Sequence, residues 1–429
     1  MSETVRFCCH GCGAIVDTAH MLPFRCPQAD LSGDIDHVLA PEPFDAQFPD
    51  GGEQNPFLRY RTLLSPYRLA RAVGLSDAAW SDIVGELDTA LIAVDGRGFR
   101  VTPMTEQKGL ATALNMSAPL WVKDETGNVA GSHKARHLMG VMLYLRVLQR
   151  ARLPAGEGLQ ARRLAIASCG NAALAAAVLA RAANWPLDVF IPADANGAVK
   201  RALQDLGAGI TVCERRSGEL GDPCVLRFRE AVARGAIPFG AQGNENGLAV
   251  EGARALAFEM AEAFSAANSL PGAVYVQVGG GALASALAQG FEIAKRFGVV
   301  AGLPTLIAVQ TESCAPLSRA WSRLGGLDLA AAARHRSQFM WPWEAPGPSL
   351  ADGILDDETY DWWAVAEGMR TSGGQPVVVT EVTIERAHRL ARRHTGIPVS
   401  PTGTAGLAGA MTARGQNESV AVVFSGIER

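Results

Sequence analysis

At 429 residues the chain is too long for one compact core, so two domains and a small appendage are expected. Hydrophobic residues at 48%, charged residues at 19% and a net charge of -4 describe an ordinary soluble globular protein without the strongly basic face that nucleic acid requires. No apolar run reaches the length of a spanning helix, and Met1-Ser2-Glu3-Thr4-Val5-Arg6 has neither the basic patch nor the apolar stretch of a signal peptide, so a cytoplasmic protein with no membrane partner is expected.

Eight cysteines are too few for a disulfide scaffold in a chain of this size, and reduced thiols are expected. Four are scattered (Cys169, Cys213, Cys224, Cys314) and four crowd the N-terminus. There Cys8-Cys9-His10-Gly11-Cys12 is followed by Phe24-Arg25-Cys26-Pro27. Cys9 and Cys12 have the Cys-x-x-Cys spacing of a zinc knuckle, and Cys26 could add a third sulfur, but a second knuckle would need a cysteine where Ala29 stands. His10, Asp30 or His37 could stand in. A metal-free, degenerate ribbon is the favoured reading for residues 1–40.

Residues 41–118 begin with the proline-rich Pro41-Glu42-Pro43-Phe44, pass through a helical segment ending near Gly74, and reach Val101-Thr102-Pro103-Met104. A helical stretch from Glu106 to Leu114 is expected after that break. These residues form an arm packing on the larger domain. Trp121-Val122-Lys123-Asp124-Glu125 is a short strand, and Gly131-Ser132-His133-Lys134-Ala135-Arg136-His137 opens a helix with Ser132 as its N-cap. A lysine in the first turn of a helix feels the positive end of the dipole, which favours the free amine that attacks an aldehyde. The alternative for Lys134 is a solvated surface lysine.

Beyond this helix, short apolar strands alternate with helices, the pattern of parallel sheets covered on both faces. Strands are expected at Leu164–Ala167, 187–191, 210–213, 274–278, 305–309, 377–380 and Val420–Phe424, with helices at 172–183, 197–206, 250–264 and 282–297. The run Trp341-Pro342-Trp343-Glu344-Ala345-Pro346-Gly347-Pro348 reads as an irregular loop. The expected domains are residues 119–245, carrying Lys134, and residues 246–429.

In open parallel sheets, ligands bind where strands end and helices begin. At Ser168-Cys169-Gly170-Asn171 the N-H groups of a helix N-terminus can hold an anion, and Asn171 can offer its amide to an oxygen of a bound ring. At Gly279-Gly280-Gly281-Ala282 absent side chains let a phosphate sit on backbone donors; tight packing is the alternative. Neither the Lys-Ser/Thr ending of a P-loop nor the G-x-G-x-x-G dinucleotide spacing is present here.

In this order, from about Arg59 to the C-terminus, the three motifs resemble the fold type II pyridoxal-phosphate enzymes. That family includes threonine synthase, the serine and threonine dehydratases, cysteine synthase and serine racemase. The resemblance implies two open, mainly parallel α/β domains of the tryptophan synthase β-like kind, pyridoxal 5'-phosphate as cofactor, an amino acid as small-molecule substrate, and a homodimer. It makes Lys134 the Schiff-base lysine and assigns cofactor binding to Asn171, Gly279, Gly280, Gly281 and Ala282. Ser168, Gly170 and Asn171 are assigned to the substrate. Val422-Val423-Phe424-Ser425-Gly426 resembles the strand whose terminal hydroxyl meets the pyridine nitrogen, with Ser425 in that role and Thr402 as its fallback.

Leu58-Arg59-Tyr60-Arg61-Thr62-Leu63-Leu64, the ribbon and Glu251-Gly252 are most similar to threonine synthase. In that branch an arginine ahead of the Glu-Gly pair holds the substrate's phosphate; here the position is Ala249, and Glu245 adds a carboxylate nearby, which argues against phosphohomoserine. Cys169 takes the place of the serine that relatives set opposite the lysine. It can exchange a proton at the substrate α-carbon or act as a small buried residue, the reading favoured. The resemblance implies a lyase working by β-elimination, or by β-replacement through an aminoacrylate. Threonine synthase and a catalytically silent cofactor-binding protein are the alternatives.

Overall fold

The computed structural model describes residues 5–429 apart from Ala19, Ser32, Asp45, Asp50, Ala345 and residues 413–417. The opening residues 1–4 and Ala345 of the tryptophan-proline run therefore lie outside the described residues. The chain divides into two compact units, Met1–Arg100 with Lys134–Ala253, and Val101–His133 with Arg254–Arg429.

The first unit holds two sheets. Strands β1 (Arg6–Cys9), β2 (Ile15–Asp17) and β3 (Leu39–Pro41) form an antiparallel ribbon in the order β2-β1-β3. The second sheet is wholly parallel, in the order β8-β7-β6-β9, from β6 (Leu164–Ala167), β7 (Leu187–Pro192), β8 (Gly209–Cys213) and β9 (Ile237–Pro238). The helix Lys134–Ala151 is buried on nearly every side, from Ala135 through Leu145, as an interior helix of apolar composition must be. It packs against the helix Asn171–Ala182.

The arm includes a helix that the sequence reading leaves out, Asp77–Asp95. Its start is set by Ser76, whose hydroxyl accepts from the N-H of Ala79 at 3.1 Å, and its end by Gly96 at φ 72°. It buries Trp80, Ile83, Val84, Leu87 and Leu91, one helical stripe.

The second unit is built on one six-stranded sheet of order β12-β11-β10-β13-β5-β4. Its strands are β4 (Met104–Glu106), β5 (Leu120–Asp124), β10 (Ala273–Gln277), β11 (Thr305–Thr311), β12 (Gln375–Val379) and β13 (Val420–Phe424). All neighbours are parallel except the edge pair β4 and β5. Because β10, β13 and β5 are parallel neighbours, their carboxyl ends lie on one side of this sheet. From there the chain runs into the glycine turn, Ser425 and the loop before Lys134.

Three local expectations change. Met104–Glu106 is a strand, and the helix is only Lys108–Ala113, because Thr105 pairs with Val122 at the sheet edge. The expected long helix from residue 250 is broken into a 3-10 turn, Glu251–Ala253, and the helix Arg254–Ala266. Ser132 does not cap the lysine helix, since its buried hydroxyl has no hydrogen-bond partner among the described residues. The division into units also differs from the four expected segments. Residues 41–100 belong with the unit that contains Lys134, residues 101–118 join the other through β4, and the later boundary falls after Ala253.

Candidate functional site

In the second unit, the loop after β5 is fixed by a buried polar cluster. Lys123 Nζ lies 2.5 Å from Glu259 Oε2 and donates to the Thr102 carbonyl at 2.7 Å. Thr102 Oγ1 contacts Glu125 Oε1 at 2.5 Å, and Asn128 Nδ2 donates to Glu125 Oε2 at 2.8 Å. Asn128 also reaches the Ser132 carbonyl at 3.3 Å. Ala130 and Gly131 adopt φ of 51° and 65°, and a side chain at Gly131 would meet Ile427 at 2.5 Å. The N-H and the Nδ1 of His133 both lie 3.0 Å from the Ser425 carbonyl, which accepts from each. The next residue is Lys134.

Ser425 is 4% exposed at the end of β13. Its hydroxyl oxygen accepts a hydrogen bond from Gln277 Nε2, and Gln277 also lies 3.2 Å from the Val423 carbonyl. The Ser425 proton is thus left to donate elsewhere. Sequence reasoning missed Gln277, although its position as a polar residue inside the apolar strand Ala273–Gln277 was the available signal. Thr402 is differently placed: its Oγ1 accepts from the Gly353 N-H at 3.1 Å and lies 3.2 Å from Asp352 Oδ1.

The glycine turn follows β10. Gly281 has φ 96° and starts the helix Ala282–Arg296 without a side-chain cap. A side chain at Gly279 would run into the Asp356 carboxylate, one at Gly280 would meet Tyr360 at 3.1 Å, and one at Gly281 would meet Thr359 at 3.0 Å. The Gly280 N-H donates to Asp356 Oδ2 at 2.7 Å. The turn therefore presents a backbone donor to an anionic oxygen, the donor chemistry a phosphate needs.

In the first unit, Lys134 is half-buried at the head of its helix. Asn171 begins the neighbouring helix, whose N-cap, Gly170, supplies no side-chain bond, and a helix N-terminus is the kind of end that takes an anion. Ser168 is half-buried, with its N-H bonded to the Phe190 carbonyl at 3.2 Å. Cys169 is exposed, which corrects the expectation of a small buried residue.

The threonine synthase-like pair Glu251-Gly252 has structural work to do. Glu251 Oε1 accepts from the N-H and the hydroxyl of Ser65, each at 2.9 Å, and Gly252 lies against Gly140, where a side chain on Gly140 would meet its Cα at 2.9 Å. Ala249 is fully buried, with its carbonyl 2.6 Å from His137 Nδ1. The Glu245 carboxylate is paired with Arg229 at 2.7 Å, which offsets the repulsion expected of it. Cys9, Cys12 and Cys26 come together, and His37 joins them, so the missing fourth ligand is present in space.

The family model described as pyridoxal-phosphate dependent enzyme matches residues 97–426. The rat protein "Serine dehydratase-like" is 30% identical over 186 residues, 42% of this chain and 49% of its own length. The chain thus spans about half the length of the curated relatives it matches. Among solved structures, the threonine deaminase of T.th. superposes with a TM-score of 0.60 at 21% identity, over 80% of this chain and 98% of the other. Maize serine racemase gives 0.60 at 16% identity, over 81% and 93%. At these identities the structures establish the fold alone. The family match spans most of the chain, from Arg97 ahead of β4 to Gly426 beyond β13, and by it the chain belongs to the pyridoxal-phosphate dependent enzymes, of fold type II, with pyridoxal 5'-phosphate as cofactor.

Proposed function

We propose that this protein is a lyase that acts on an amino acid by β-elimination or β-replacement. The observation that carries the reading is the neutral hydroxyl of Ser425, buried and oriented by Gln277, which we assign to the cofactor's ring nitrogen. When bound, the cofactor supplies an electron sink for the α-carbanion, and a neutral partner leaves that sink weaker than a carboxylate would, which suits expulsion of a β-substituent.

The remaining roles follow from the chain's own groups. Of its five lysines, Lys123 is buried against Glu259, Lys108 and Lys295 are exposed, and Lys200 donates to the Ala193 carbonyl at 2.8 Å. Lys134 alone follows the buried loop at a helix start, and it is assigned to hold the cofactor and then, as the free amine, to take the α-proton. Gly279, Gly280, Gly281 and Ala282 would offer their N-H groups to the phosphate, in place of the Asp356 carboxylate that now accepts from Gly280. The helix N-terminus at Asn171, together with Ser168 and Gly170, would hold the substrate carboxylate, and the Asn171 amide would be the partner of the cofactor's ring oxygen. The unpartnered hydroxyl of Ser132 adds a donor close in sequence to the lysine.

Threonine synthase activity is the second reading, and the full burial of Ala249 weighs against it, because no guanidinium stands there to grip a substrate phosphate. The test is a panel of serine, threonine, hydroxyaspartate, diaminopropionate and phosphohomoserine. A 2-oxo acid released from one of the first four, lost in Lys134→Ala, is expected. Inorganic phosphate from phosphohomoserine with no 2-oxo acid from the others would establish the synthase instead. A homodimer in the cytoplasm belongs to the same proposal, and light scattering of the purified protein checks the dimer.

A further inference from the structure

We propose that Cys9, Cys12, Cys26 and His37 bind one structural Zn2+ in a tetrahedral site of three thiolates and one imidazole. The ligand atoms all lie within 4.8 Å of one another. Cys9 Sγ is 3.5 Å from His37 Nδ1, and Cys12 Sγ is 3.5 Å from Cys26 Sγ. Zinc-sulfur bonds of about 2.3 Å and zinc-nitrogen bonds of about 2.0–2.1 Å at tetrahedral angles put sulfur about 3.8 Å from sulfur and about 3.6 Å from nitrogen. Both observed separations are close to these values. The sulfur pair is too far apart for a disulfide, whose bond is about 2.05 Å.

The backbone around the thiols has the form of a metal knuckle. Cys9 ends β1, its N-H donates to the Ala14 carbonyl at 2.9 Å, and its carbonyl accepts from Gly13, which sits at φ 74°. The N-H groups of Gly11 and Cys12 are directed at Cys9 Sγ, and that of Gln28 lies 3.4 Å from Cys26 Sγ. Such donors stabilise thiolates bound to a metal and orient them. His37 is delivered by the pairing of Cys9 with Leu39, two residues further on, and by the bond from the His10 N-H to the Val38 carbonyl at 3.0 Å. The sequence spacing leaves His37 one of three candidates, with His10 and Asp30, because the choice is made by strand pairing. Three sulfurs and one imidazole in a tetrahedral set select Zn2+ over the harder cations.

The segment between β2 and β3 has no strand or helix among its described residues, and a metal clip offsets the entropy of fixing so long a loop. What the clip steadies is specific. The Gly247 N-H donates to the Phe24 carbonyl at 3.0 Å, a side chain at Gly247 would meet Leu39 and Pro23 at 2.8 Å, and the Tyr144 hydroxyl donates to the Thr18 carbonyl at 3.1 Å. Tyr144 lies in the helix that Lys134 begins, and residues 249–252 pack on that same helix through His137 and Gly140. The zinc ribbon is thus a brace for the lysine helix, independent of which reaction the enzyme performs.

Elemental analysis of the purified full-length protein is expected to give about one zinc per chain, and zinc-edge X-ray absorption about three sulfurs at 2.3 Å and one nitrogen near 2.0 Å. Cys26→Ser and Cys12→Ser are expected to lower zinc at least tenfold and His37→Ala to remove the nitrogen shell, whereas Cys8→Ser keeps the metal. Should the ligand variants fail to fold, organomercurial titration of the wild-type protein with a colorimetric zinc indicator replaces them, and zinc release is expected to track modification of three thiols. A zinc-free protein that takes up none on reconstitution, a sulfur-free absorption spectrum, or zinc release that does not follow thiol modification would overturn the assignment.

Discussion

At Lys134 a buried loop, a helix start and a neighbouring hydroxyl without a hydrogen-bond partner among the described residues, that of Ser132, follow each other in the chain. Its replacement by alanine is expected to lower 2-oxo acid release by about 10³-fold or more, within the range for removal of a positioned acid-base group. Gln277→Leu removes the donor that holds Ser425. It is expected to weaken cofactor binding about tenfold, the worth of one buried hydrogen bond of about 1–1.5 kcal/mol, as read by titration of the apoprotein. Cys169→Ala separates two chemistries: elimination is expected to persist within about threefold, whereas a racemase using the thiol would lose about 10² or more of its rate. At this scale the sequence displayed most of the candidate site, because glycines, a lysine at a helix start and an asparagine at a helix N-terminus announce themselves in one dimension. Gln277 and Asp356 did not, since each matters through a partner far away in the chain, and His37 stood only as one of three candidates beside Cys9, Cys12 and Cys26.

Strands of the second unit were legible because parallel strands buried on both faces read as continuous apolar runs, Val420–Phe424 above all. The edge strand Met104–Glu106 was not, because its extended shape comes from pairing with β5 and not from its own composition. The Lys123 cluster lies between these strands and the helix Arg254–Ala266. Lys123→Met would leave Glu259 buried without its counter-charge, at a cost of about 3–5 kcal/mol, seen as a lower urea midpoint with an unchanged slope. On the helix Glu381–Thr395, burial and, secondarily, the neighbouring Arg392 hold His388 below its ordinary 6.5, against the carbonyl of Val399, which favours the charged form. Glu428, 3.7 Å away, is the facing carboxylate. A depressed folded pKa means that the unfolded chain binds the proton more readily, so this contribution is intact above 6.5 and lost as the pH falls below it. His388→Gln is expected to flatten that part of the stability curve, measured by urea unfolding between neutral and mildly acidic pH.

For the whole molecule, the chain passes from one unit to the other after Arg100, after His133 and after Ala253. Sequence composition cannot reveal such crossings, because the helix Lys134–Ala151 and the residues before it look like one continuous element while belonging to different packing units. The family fold was legible from motif order alone; the partition of residues 41–133 was not. The account rests on Lys134 as the cofactor's lysine, and the chain offers only four others. The most direct measurement is borohydride reduction of the holoenzyme followed by peptide mass mapping. A pyridoxyl group on the peptide containing Lys134 is expected, with no label on Lys108, Lys123, Lys200 or Lys295. Label on any of those four, or an unlabelled protein, would contradict the account.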